Sequence, residues 1–144
     1  MIRALKGLFL VLSVLALPAA AVADNLTGQQ MILCTAVQVT MCTDDGDCAI
    51  EAPWNLNVPQ FIEIDLKDKK MSTTKASGEN RSTPIRTLER EGGLIFLQGV
   101  EMGRAFSFVI VEKTGMASIA VAREGMTVSV FGACTPMPAA PAAK

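Results

Sequence analysis

Between residues 61 and 134 the chain alternates apolar and polar positions with a period of two. In residues 61–66, FIEIDL, Ile62, Ile64 and Leu66 fall on one face and Glu63 and Asp65 on the other. In residues 104–112, RAFSFVIVE, Phe106, Phe108 and Ile110 share a face; in residues 126–134, Val128, Val130 and Cys134 do. Such alternation, carried by β-branched and aromatic side chains, predicts half-buried strands. The same signals assign strands to residues 71–75, 85–89, 94–100 and 116–122. Gly93, Gly103, Gly115 and Gly125 each precede one of these strands, and links this short suit hairpins rather than parallel crossovers. The predicted fold is all-β: an antiparallel meander of about eight short strands forming a small barrel or sandwich.

Residues 31–43, MILCTAVQVTMCT, carry two patterns at once. Leu33, Val37 and Met41 could form a helical stripe, but Ile32, Thr35, Val37, Val39, Thr40 and Thr43 are β-branched, which favours a strand. The next stretch, CTDDGDC, then reads as a stapled turn. A three-residue hairpin loop is commonly a type I turn followed by a left-handed glycine. Asp44-Asp45-Gly46 fits, with Thr43 opposite Asp47 and Cys42 opposite Cys48, within disulfide reach. A calcium loop would need ligands at alternate positions before the glycine and a glutamate beyond it, whereas Met41 and Thr43 stand there and residue 52 is alanine. The chain has no histidine to complete a zinc site and no C-x-x-C redox pair. Pairing Cys42 with Cys48 leaves Cys34 for Cys134, joining the first strand to the last; four cysteines allow other connectivities, and spacing alone leaves them open.

The start of the chain changes the context. Arg3 and Lys6 precede an apolar run at residues 8–17, Pro18 breaks it, and small residues lead to Ala23. Residues 1–23 are thus predicted to be a secretory signal peptide, with a compact, alanine-rich cleavage region of bacterial type, and the protein to be periplasmic or secreted. Cys34 lies too far beyond Ala23 to carry a lipoprotein anchor, and no later apolar run is long enough to cross a bilayer as a helix. Four cysteines in an exported chain favour two disulfides. Residues 24–135 would form one β-rich domain, followed by a disordered tail at residues 136–144. Cleavage removes two cations and no acid, so the net charge falls from −1 to −3.

Chemistry has little material. With no histidine and no tyrosine, the commonest general base and a frequent acid are missing, and no enzyme, metal site or cofactor is expected. Ser72, Ser77 and Lys75 are close in sequence but read as ordinary surface. Charge is more informative. Residues 67–90 hold Lys67, Lys69, Lys70, Lys75, Arg81, Arg86 and Arg90 against three acids, a local net of +4, while the rest of the mature chain carries −7. Such a face suits an anionic partner (an acidic protein, a glycan or an envelope surface) or simply blunts a strand edge. Scarce aromatics there argue against nucleic acid. Met102 and Met126 are read as packing residues, and Trp54 as a plug over one end of the core.

Residues 76–81, ASGENR, place a Ser-Gly core in a small exported β-domain with a cysteine near its C-terminus. In these features the chain resembles the c-type lysozyme inhibitors of bacteria. The resemblance implies a protein inhibitor acting through the Ser77-Gly78 loop. It departs from that family after the Ser-Gly, where an aromatic is usual and Asn80 and Arg81 stand here. The expectation carried forward is a non-enzymatic, exported binding or interaction module, with Ser77, Gly78 and the seven cations as candidate partner contacts. An inhibitor and a small-ligand carrier are the alternatives, since a barrel of about eight strands can hold a ligand.

Overall fold

The computed structural model describes residues 25–137; the predicted signal peptide and the tail beyond Met137 lie outside the described residues. Among the described residues there are ten strands: β1 (Met31–Thr43), β2 (Cys48–Glu51), β3 (Phe61–Asp65), β4 (Lys70–Thr73), β5 (Ser82–Pro84), β6 (Thr87–Glu91), β7 (Leu94–Glu101), β8 (Arg104–Val111), β9 (Met116–Arg123) and β10 (Met126–Pro136). Nine of them pair in the order β5-β4-β3-β1-β10-β9-β8-β7-β6, every pair antiparallel, and β2 pairs with β1 off that path. The sheet curls into a half-barrel. The all-β antiparallel expectation is met, disulfide staples included.

Residues 31–43 are a strand, and a bulge explains why their pattern was ambiguous. The register of β1 against β10 slips between Ala36 and Gln38, leaving Val37 as an extra residue. Ile32 and Cys34 face the core before the slip and Val39 after it, so the true inward set has no single period. Gly132 permits the close approach: a Cβ there would stand 2.5 Å from the Thr35 carbonyl oxygen. The acidic turn forms as read. Thr43 N–H donates to Asp47 O at 2.9 Å, Gly46 N–H to Thr43 O at 3.1 Å, and Gly46 adopts a φ of 95° that favours glycine. Cys42 stands opposite Cys48 and is bonded to it, while Cys34 is bonded to Cys134 across the β1–β10 pair.

The strand expected around residues 85–89 is met from Thr87, where β6 begins, while Ile85 and Arg86 form a corner ahead of it. Ile85 N–H donates to Lys69 O and Arg86 N–H to Gln98 O, both at 2.8 Å. Successive amides of an extended chain point to opposite sides, so the two halves of the stretch face different neighbours: β5 pairs with β4 and β6 with β7. The two ends of the curled sheet meet at that corner. Beyond it, no backbone ladder pairs β5 with β7 among the described residues.

Inward side chains form two groups. Leu26, Ile32, Ile64, Leu66, Ile95, Leu97 and Ile110 anchor the larger, with Cys34 and Cys134; Val39, Val128 and Val130 form the smaller. Among the described residues, only the half-buried Ile119 and Val121 pack against both. Leu26 is the plug. It is fully buried and its N–H donates to Glu112 O at 2.6 Å, closing the end of the half-barrel where β8 finishes. Trp54 does not plug the core as the sequence suggested: it is 77 % exposed. The short 3-10 turn Pro53–Leu56 turns Leu56 toward the smaller cluster and the indole outward. Pro136 ends β10, and Met137 N–H donates to Met31 O at 2.9 Å.

In the chain-entropy model, a link spanning 100 residues stabilises by about 4.7 kcal/mol and one spanning 6 by roughly 2. Replacing Cys34 and Cys134 together by alanine is therefore expected to lower the urea midpoint substantially more than replacing Cys42 and Cys48, by equilibrium unfolding of the disulfide-bonded protein.

Candidate functional site

The space between the two interior clusters is not filled. A cavity of about 440 Å³ opens there, in the size range of small-molecule sites. Phe106, Phe108, Val128, Val130, Ile62 and Met71 form much of its apolar wall, and the Cys34 end reaches the larger cluster. Phe106 and Phe108 meet edge to face, their ring centroids 5.9 Å apart. Ile62, Leu56, Ile119 and Val121 point inward yet remain partly exposed. In a side-chain-filled barrel such residues would be buried; here they line accessible space. The link between β2 and β3, including Leu56, Val58 and Pro59, forms one lip.

The mouth is charged, and its residues follow from strand register. Arg104 continues the inward row of Phe106 and Phe108 on β8, Arg123 that of Ile119 and Val121 on β9, and Glu101 stands opposite Arg104 on β7. Arg81, just before β5, completes the rim. Glu101 joins them: it accepts from Arg81 at 3.2 Å, Arg104 at 3.4 Å and the Thr83 hydroxyl at 2.8 Å. These contacts join β5 and its approach to β7, between which no backbone ladder runs, so a carboxylate supplies the link. Arg81 also donates to Asn57 O at 3.3 Å and pairs with Glu79 at 3.5 Å, tying the lip to β5. Arg123 is exposed, and its recorded polar contact is the Met126 sulfur at 4.0 Å.

The cations singled out from sequence have different surroundings. Lys67 lies beyond β3 in the turn to β4, with Lys69, and Lys70 begins β4; all three are exposed. Arg86 lies at the corner whose backbone meets Lys69 and is exposed too. Arg90 pairs with Glu112 at 3.3 Å and also donates to Gln29 O. Lys75 sits in a second 3-10 turn, Lys75–Ser77, capped by left-handed Gly78. The Ser77 hydroxyl donates to Thr74 O at 2.7 Å and accepts from Glu79 N–H at 3.3 Å, so the loop resembling an inhibitory one is bonded within itself. Of the whole set, only Arg81 lines the cleft.

Apolar alternation alone does not mark Glu101, Arg104 and Arg123, because each is a charged residue at the end of an inward row. Extending each inward row by one period-two step reaches Arg104 and Arg123. The acidic turn shows no ligand geometry: the Thr43 hydroxyl donates to Asp45 and, with the Asp47 backbone amide, holds its carboxyl below the usual range. Among the described residues no three acidic or cysteine side chains converge as a metal site would require. No helix among the described residues is long and apolar enough to cross a membrane. The two disulfides are compatible with an oxidising, exported location.

Glu101→Gln keeps the side chain's shape but removes the charge two arginines share. It is expected to cost about 1 kcal/mol, given the partial exposure of the pairs, and to raise amide exchange selectively at residues 81–83. Unchanged exchange there would show that the carboxylate does not hold β5.

No protein-family model matches the chain, and no curated protein matches it.

Proposed function

We propose that this protein is an exported, non-enzymatic binding module that holds a small apolar molecule in the cleft of its half-barrel. The observation carrying this reading is the unfilled space between two core clusters, lined by inward-facing yet partly exposed Ile62, Leu56, Ile119 and Val121. Leaving apolar wall in contact with water forgoes about 25 cal/mol for each Å² that could be covered, and a ligand recovers it. Less supports an inhibitor of the lysozyme-inhibitor type, because the Ser77 hydroxyl is engaged by its own turn. The exposed Lys67, Lys69, Lys70 and Arg86 remain available to an anionic protein, glycan or envelope surface, independently of the cleft.

Saturable uptake of the neutral dye phenylnaphthylamine, read by its fluorescence, is expected for the protein. Val121→Trp, which fills the cleft between the clusters, is expected to weaken uptake at least about tenfold while preserving the thermal transition. Absent uptake in the parent protein would overturn the assignment. Uptake unaffected by the tryptophan would do the same, placing the dye elsewhere, for instance around exposed Trp54, Val37 and Ile50.

A further inference from the structure

Building on the cleft as a binding site, we infer that its occupant is a single-chain amphiphile with an acidic head, its tail among the phenylalanines and valines and its carboxylate at the arginine rim. Polarity is distributed along one axis. The end where β8 finishes is dry, closed by fully buried Leu26, Ile32, Ile64 and Ile110. The opposite end, where β8 begins, carries all four charged residues of the cleft: Arg81, Arg104, Arg123 and Glu101. A molecule entering there meets cations first and hydrocarbon below.

The sign of the rim follows from its bonding. Three arginines face one glutamate among the cleft-lining residues, a surplus of +2, and it stays positive when Glu79, bonded to Arg81 from outside, is counted. Arg81 is engaged by Glu101, Glu79 and Asn57 O. Arg104 bonds Glu101 through one guanidinium nitrogen, and Arg123 has no ion pair among the described residues. These two therefore keep donors free. Guanidinium donors in a planar fork recognise carboxylates well. Glu101 does not repel an incoming anion as a bare carboxylate would, since Arg81, Arg104 and Thr83 already donate to it.

Length sets the tail. From Arg104 to Phe108 the wall runs roughly 13 Å at about 3.3 Å per residue, which matches an extended chain of about ten carbons. A flat ring system would use that depth poorly.

The test compares decanoate with decanol as competitors for bound phenylnaphthylamine, in the parent protein and in an Arg104→Met/Arg123→Met double variant. Decanoate is expected to displace the dye at about tenfold lower concentration than decanol in the parent. The variant should lose that preference while still binding dye and decanol. Equal displacement by acid and alcohol in the parent overturns the acidic-head assignment and leaves the apolar cleft standing. A preference that survives in the variant overturns the roles of Arg104 and Arg123. Absence of dye binding in the parent is a different failure, of the cleft itself. A dye-binding defect in the variant does not obscure the result, because the acid-to-alcohol ratio in the parent decides the head group alone.

Discussion

The pairing of β1 with β10 is the contact on which the rest of the sheet hangs. It lies at the middle of the strand order, so β3-β4-β5 extend from one side of it and β9-β8-β7-β6 from the other. Its partners are far apart in sequence, and the Cys34–Cys134 bond pins them at a separation of 100 residues. Long-range strand pairing is entropically costly to form, and a covalent link at the seam limits that cost in the unfolded chain. Small exported domains commonly need such support because their cores are thin. Here the core is thinner still, since its middle is open.

That opening is a consequence of how the sheet curls. Its two ends meet at Ile85 and Arg86, whose consecutive amides reach Lys69, just before β4, and Gln98 of β7, and no ladder joins β5 to β7 among the described residues. Glu101 links the β5 side to β7 through side chains, at the mouth rather than in the interior. The same residues that keep the mouth in shape make it cationic. An apolar floor with a positive rim binds amphiphiles through two separable contributions, burial for affinity and ion pairing for orientation. The exposed lysines of the β3–β4 turn belong to neither.

Much of this fold is legible in the residues, because half-buried strands advertise themselves by alternation. The rows through Phe106, Phe108 and Ile110, and through Val128, Val130 and Cys134, are inward as expected. The CTDDGDC turn is readable because glycine placement and cysteine spacing constrain one another. Less legible are features set by long-range geometry. The bulge at Val37 breaks the period of β1, and the bend after Pro84 splits one apparent strand between two neighbours. Trp54 misleads because its local turn, not its hydrophobicity, decides which way it points. The cationic run from Lys67 to Arg90 does not share one environment: Lys67, Lys69, Lys70 and Arg86 are exposed around the β3–β4 turn and the corner beside it, while Arg81 and Arg90 are taken up by Glu101 and Glu112. A charge count along the chain cannot see partners about twenty residues away.

The central claim is that the interior between the two core clusters is a binding site, and a residue-resolved NMR titration with decanoate tests it most directly. The account predicts saturable shifts concentrated on Phe106, Phe108, Ile119, Val121 and Val130, with the Arg104 and Arg123 side-chain signals moving alongside them. Shifts confined to the outer face, around Phe131, Met116 or Trp54, would contradict it.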